Sequence, residues 1–356
     1  MRTWAEIDRR LYQGQATVLT VKEVQDLVRE HGVSKAAEQV DVVVTATFAP
    51  VSWALLFFRP AANTPGHWAE RAWLGGIPLQ VGFHPAQMLL EASATGNRGP
   101  QRGGAHLLEA WLSGERLVLR LQFQPGAPSA QSAWEGGIGL SDLEEARLLV
   151  VLRSAGQGLV AVNGRPQPLP SELGLLLPEM GNAAHTWMGC WEPGVLDPAQ
   201  RAILPGLPIL LAGSVGQVAW RQGPAIALSA GLHSIRREYL RALAIPNYGV
   251  GLAVGVAWPV PVLDPQALAP LEDPETRLTA ELVDYAAARR PLHRLGEVSY
   301  GALLQGTISV AGRPVPVTSL SSPTRAVRLA EELKARLLRR EFPPLSPPTL
   351  TEEIGP

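Results

Sequence analysis

Cysteine is almost missing from this chain. Cys190 stands alone in 356 residues, which excludes an intrachain disulfide framework and any zinc or iron-sulfur site built from the chain's own thiolates. Such usage fits a reducing, cytoplasmic setting. An excess of either charge is missing too. With 31 Lys and Arg against 32 Asp and Glu, the net charge is -1, so no overall field draws the chain to nucleic acid or to an anionic membrane. Neither is expected as a partner. The longest apolar run, Tyr248 to Leu263, is shorter than the roughly 20 residues a membrane span needs. The first ten residues carry charges where an export signal would place its apolar segment. No two of the seven histidines (His31, His67, His84, His106, His185, His233 and His293) have the i, i+4 spacing of a helical metal site. No metal is expected. Walker-type loops and the Gly-x-Ser-x-Gly elbow are absent as well.

Apolar residues, 46% of the chain, are ample for a sizeable core, while 35 glycines and 32 prolines imply many turns and short elements. The run Tyr248 to Leu263 is read as a buried strand around which the rest is organised. Gly249, Gly251 and Gly255 alternate there with Val and Leu, which puts small residues where another backbone or a ligand comes close. Gly249 and Gly251 are therefore candidates for a glycine-lined wall of a ligand site. The spacing is not the dinucleotide fingerprint, because Pro259 and Pro261 forbid a following helix.

Thr3 with Glu6 and Thr20 with Glu23 have capping-box spacing, and each predicts a short helix that a glycine, Gly14 or Gly32, brings to an end. The β-branched run Val40 to Thr47 follows as a strand, and Phe48 to Pro65 as an irregular apolar stretch. A helix is expected over Leu107 to Ser113 and an alternating strand over Glu115 to Phe123, then a long loop over Gln124 to Gly139. Ser141 with Glu144 signals a further helix before the strand Leu148 to Leu152, and Asn163-Gly164 signals a hairpin. Arg236 to Ala244 and Glu281 to Arg289 read as helical, and Ala311-Gly312 as a hairpin turn. At the C-terminus Ser322 caps a helix that begins at Pro323, with Ala326, Leu329, Ala330, Leu333 and Leu337 as its apolar stripe. The expected fold is α+β, or mixed α/β, in one large domain over 1–341. It has mixed sheets, many short strands and hairpins, and a C-terminal amphipathic helix, with a loosely docked Pro-rich tail over 342–356.

Two helix starts can hold an anion: Gly103-Gly104 before His106, and Ser319 to Ser322 before Pro323. A helix-capping histidine explains His106 at least as simply. Cys190 lies in Trp-Met-Gly-Cys-Trp with no Lys or Arg nearby, which reads as a buried inert thiol.

Several blocks together resemble the homocysteine-biosynthesis family, once a domain of unknown function, whose members are implicated in sulfur incorporation into aspartate semialdehyde. They are Val43 to Phe48 (Val-Val-Thr-Ala-Thr-Phe), Gly103 to His106 (Gly-Gly-Ala-His) and Leu177 to Ala183 (Leu-Pro-Glu-Met-Gly-Asn-Ala). Leu211 to Trp220, the Tyr248 to Leu263 run and Leu295 to Tyr300 (Leu-Gly-Glu-Val-Ser-Tyr) complete the set. The resemblance implies persulfide chemistry, in which a cysteine thiolate carries sulfur to the aldehyde. It also implies an external electron donor, often ferredoxin-like, with no cofactor bound by this chain. Substrate binding is expected from Thr45, Thr47, Ser52, Gly103, Gly104, His106, Asn182, Gly249 and Gly251, and a small carboxylate metabolite is the expected ligand. The family's cysteine loop after the first block is replaced here by Ala49 to Leu56, and its second cysteine would fall near Pro128 and Ser129; neither place holds a thiol. Three readings stay open. The chain is a divergent enzyme that uses Cys190 or free sulfide, a non-catalytic relative that binds a small carboxylate or a partner protein, or an enzyme of another class. An oligomer is equally open.

Overall fold

The strand Gly249–Pro261 is buried over most of its length in a computed structural model that describes residues 2–61, 64–65, 69–82, 84, 86–96, 102–125, 132–154, 156–286 and 293–347. Along one edge it pairs antiparallel with Val42–Pro50, from Ala253 opposite Pro50 to Pro261 opposite Val42. Its other edge is shared by Leu240–Ile245 and Pro208–Leu211. Two prolines are tolerated because of where their missing N–H groups would point. The Ala212 N–H donates to the Gly255 carbonyl, so residues 255, 257, 259 and 261 aim their backbone toward Pro208–Leu211, and that pairing stops at Ala257. Neither proline removes a ladder hydrogen bond.

Among the described residues this strand belongs to a 14-stranded sheet. From Val18–Thr20 the order runs through Val42–Pro50 and Gly249–Pro261 to the hairpin strands Pro208–Leu211 and Ser214–Gln222, and on to Ala225–Gly231 and Leu143–Arg153. It continues with Trp53–Pro60, Met88–Glu91, Ile77–Val81, Ala69–Leu74, Leu117–Phe123 and Ala133–Ile138. A six-stranded mixed sheet holds His293–Ser299, Thr279–Asp284, Gly158–Val162, Ala183–His185, Arg313–Ser319 and Thr307–Val310 in that order. The architecture is α+β.

Both predicted capping boxes form: Thr3 with Glu6, and Thr20 with Glu23. Gly14 closes the first helix in the left-handed conformation, φ 71°, which glycine adopts without a Cβ penalty. The C-terminal helix, Pro323–Leu338, buries the five predicted stripe residues. It covers the sheet face that carries Phe48 and Gly255, since a Cβ on Gly255 would stand 3.1 Å from Leu329 Cδ2 and 3.4 Å from Phe48 Cδ2. Strand alternation then turns Thr45 and Thr47 to the opposite face.

Several expectations are corrected. Phe48 to Pro60 is not irregular, because Val42–Pro50 continues past Phe48 and Trp53–Pro60 pairs with Leu143–Arg153, with one shift of register before Pro60; residues 62 and 63 lie outside the described residues. Ser141 and Glu144 do not cap a helix: Leu140–Asp142 is a single 3-10 turn, and the strand starts at Leu143. Arg236 to Ala244 forms a 3-10 turn and the strand Leu240–Ile245, and Glu281 falls in the strand Thr279–Asp284; residues 287–289 lie outside the described residues. In each case sheet pairing outweighed a local helical signal. Asn163 turns no hairpin either. Its side chain instead accepts from Arg165 N–H and donates to the carbonyls of Gln167 and Leu176, an Asx turn that closes a wider loop. Part of the expected loop over Gln124 to Gly139 is the strand Ala133–Ile138, and residues 126–131, where Pro128 and Ser129 fall, are outside the described set. The tail is not loose up to residue 346, because Leu345 is fully buried and Asp8 accepts from the amides of Leu345 and Ser346; 348–356 are not described. No helix among the described residues is long and apolar enough to cross a membrane.

Candidate functional site

The two sheets face each other across a cleft of about 980 Å³, near the upper end of the usual range for small-molecule sites. The 14-stranded sheet supplies Thr47, Ala49, Arg153, Leu243 and the backbone from Gly249 to Leu252; the turn after Pro50 adds Val51 and Ser52. From the other side come Gly158, Leu159, Glu281, Val283 and Tyr285, with Glu172 and Leu173 from a small hairpin. Thr186, Trp187 and Glu192 complete it from the segment after Ala183–His185.

Four of the predicted binding residues, Thr47, Ser52, Gly249 and Gly251, meet at this cleft. Gly249 has φ 147°, and a Cβ on either glycine would find nothing within 4 Å. Bare backbone is therefore presented to the open cleft. The other candidates stand elsewhere. Thr45 is fully buried and donates to the Trp191 carbonyl at 2.6 Å, which ties the strand Val42–Pro50 to the segment carrying Glu192. Gly103 and Gly104 sit where the helix Gly104–Leu112 meets the sheet: a Cβ on Gly104 would lie 2.1 Å from the Glu91 carbonyl, and on Gly103 3.0 Å from Val250. The close approach explains both glycines. His106 Nδ1 accepts from the Gly103 N–H at 3.2 Å, so the imidazole caps its own helix, and burial depresses its pKa. Asn182 is saturated by backbone and one hydroxyl: it accepts from Leu177 N–H and donates to the Leu175 carbonyl and to Thr318 Oγ1.

Cys190 is 3% exposed. Gln25 Nε2 donates to its sulfur at 3.2 Å, and burial pushes the thiol up to about 11. A sulfur carrier needs the thiolate within reach of substrate, and this environment favours the protonated form behind the cleft wall. The neighbouring Tyr300 packs so closely that a Cβ on Gly189 would stand 2.1 Å from its ring. Burial raises the Tyr300 pKa as well.

Sequence reasoning passed over Glu192. It is 7% exposed and lines the cleft, and burial raises its carboxyl to about 7. Met188 N–H and the Ser154 hydroxyl donate to its two oxygens at 3.2 and 3.3 Å, and Ser154 in turn accepts from Gly194 N–H at 2.8 Å. One signal was legible: between Thr186 and Asp197, Glu192 is the lone charged residue in an otherwise apolar, turn-rich segment. Arg153 was missed too. It is exposed, it is the one cation among the described residues lining the cleft, and it has no ion-pair partner among them. Across the cleft Glu172 accepts from the hydroxyls of Tyr248 and Tyr285 at 3.3 and 2.9 Å. No group of three or more His, Cys, Asp or Glu side chains able to hold a metal gathers among the described residues.

A family model described as "Homocysteine biosynthesis enzyme, sulfur-incorporation" matches residues 16–343. A relative from Methanosarcina acetivorans, named L-aspartate semialdehyde sulfurtransferase, is 28% identical over 346 residues, covering 95% of this chain and 69% of the relative. Another of the same name, from Methanocaldococcus jannaschii, is 27% identical over 371 residues, covering 96% of this chain and 72% of the relative. An uncharacterized protein of Methanothermobacter thermautotrophicus is 28% identical over 280 residues, covering 74% and 63%. No solved structure matches significantly.

Proposed function

The chain belongs to the homocysteine-biosynthesis, sulfur-incorporation family, and on that premise we propose that it makes homocysteine by placing sulfur on aspartate semialdehyde in the cleft between the sheets. The observation that carries this reading is the family match along 16–343, a span that includes every residue lining the cleft. The cleft suits a small amino acid that carries an aldehyde. Arg153 offers a cation for the substrate carboxylate, Glu172 and Glu281 offer acids for its ammonium, and Thr47 and Ser52 offer hydroxyls.

The overall reaction joins the aldehyde, hydrogen sulfide, two electrons and two protons to give the thiol and water. Sulfide adds directly in this proposal, because the chain's own thiol is protonated and enclosed. The electrons come in this proposal from an external low-potential, one-electron donor of the ferredoxin type, and a chain with a single cysteine is in keeping with a reaction in the cytoplasm. A second reading is favoured by the lack of an accessible thiol: a non-catalytic relative that holds a small carboxylate in the same cleft.

The test is homocysteine formation by the purified chain given aspartate semialdehyde, sulfide and titanium(III) citrate, beside Cys190→Ser and the Methanosarcina relative. Turnover retained by Cys190→Ser supports direct use of sulfide, and turnover lost in that variant makes Cys190 the carrier. A silent chain beside an active relative leaves the binding role.

A further inference from the structure

Glu192 is a buried carboxyl that opens onto the cleft from the segment between Ala183–His185 and the short helix Pro193–Leu196. Its position is built from three sides. Ser154, just past the end of Leu143–Arg153, donates to one oxygen, and the Met188 amide donates to the other. Thr45 on the central sheet grips the carbonyl of the preceding residue, Trp191. The hydrogen-bond partners of the carboxyl among the described residues are neutral, so no cation holds it ionised.

Sulfur addition to an aldehyde needs such a group twice. As HS⁻ forms its bond to the carbonyl carbon, the C=O electron pair moves to oxygen, which must take up a proton. Later the same oxygen has to leave, and hydroxide is a poor leaving group unless it departs as water. Resting on the function proposed above, we infer that Glu192 is the proton-transfer residue of the cleft, protonating the aldehyde oxygen as sulfide adds and again as that oxygen leaves.

The steps balance. Protonated Glu192, HS⁻ and the aldehyde give the hydroxy-thiol and the Glu192 carboxylate. That carboxylate takes the S–H proton, and the resulting thiolate expels the hydroxyl as water with the proton returned from Glu192. The product is a thioaldehyde, one water and the carboxylate, which solvent reprotonates. Two electrons from the external donor and two protons then reduce the C=S bond to the thiol. A carboxyl whose burial raises it to about 7 can both give and take protons at neutral pH. The titratable or charged groups near it are Tyr300, itself beside Cys190 and Glu275, and Arg153, Glu172 and Glu281, which line the same cleft.

The experiment is the pH profile of homocysteine formation, under the assay above, for the wild type, Glu192→Gln and Ser154→Ala. Wild-type turnover should fall along an alkaline limb with an apparent pKa near 7. Glu192→Gln should lose on the order of 10²-fold or more, the usual scale of proton-transfer catalysis, and the limb should vanish. Ser154→Ala keeps the carboxyl but removes a hydrogen bond that favours its charged form, so its limb should move to higher pH. A purely structural role would lower the rate without moving the limb. Glu192→Gln within threefold of wild type, or a limb unchanged in both variants, overturns the assignment while leaving the sulfur-incorporation reading intact. A wild-type chain that is silent beside an active relative overturns both.

Discussion

At the scale of single residues, two buried acids on one short segment, Cys190 and Glu192, are moved the same way by the same cause. Loss of water penalises their charged forms. For Cys190 the outcome is an inert thiol, raised to about 11. Native protein at pH 8 should therefore react with a thiol reagent such as dithionitrobenzoate on the timescale of unfolding, and rapidly only in denaturant; fast labelling of the folded chain, followed by absorbance, would contradict its enclosure. For Glu192 burial carries a stability cost with a definite sign. Its folded value of about 7 lies above the 4.5 of a glutamate in water. The unfolded chain therefore loses its proton first, and the contribution, fully present below pH 4.5, is lost as pH rises toward 7. Glu192→Gln should match the wild type near pH 4 and exceed it by at most about 3 kcal/mol at pH 8. Denaturant midpoints at the two pH values check this.

At the scale of elements, helices yielded to sheets wherever the two competed. Leu240–Ile245 and Thr279–Asp284 carry helix-compatible residues, yet each is claimed by a partner strand, Gly249–Pro261 in one case and Gly158–Val162 in the other. Helices persist where caps and an apolar stripe agree, as in Pro323–Leu338. That helix is docked by close approach to Gly255, where a Cβ would press on Leu329, Tyr239 and Phe48 at 3.1 to 3.4 Å. Gly255→Val should overpack this contact and cost about 1–3 kcal/mol. Equilibrium urea unfolding measures the loss, and an unchanged midpoint would mean that the helix shifts without penalty.

At the scale of the whole molecule, the cleft exists because two sheets meet, and its walls come from segments far apart in sequence. Thr47, Arg153, Glu192, Gly251 and Glu281 share it. Gly251 differs from Gly255 in its surroundings, since a Cβ there meets nothing within 4 Å. Gly251→Leu should accordingly leave stability within about 0.5 kcal/mol of wild type. It should weaken substrate capture about tenfold or more by occupying cleft space, a loss of about 1.4 kcal/mol. A rise in KM with an unchanged melting temperature would match this; an unchanged KM would place the ligand elsewhere.

What the chain determined by itself was local or compositional. The capping boxes at Thr3 and Thr20, the stripe from Ala326 to Leu337 and the buried glycine-rich strand all depend on neighbours in sequence, and all were legible there. Family membership was legible too, because ordered blocks along the chain carry it. Only the tertiary structure decided which polar residues meet. Thr47 reaches the cleft while Thr45, two residues away on the same face of the strand, spends its hydroxyl on Trp191. Asn182 and His106 are consumed by turns and caps. Glu192 became a candidate acid through desolvation, and desolvation is a property of the packed surroundings, which bring Ser154, 38 residues before Glu192, and Thr45, 146 residues before Trp191, to one segment.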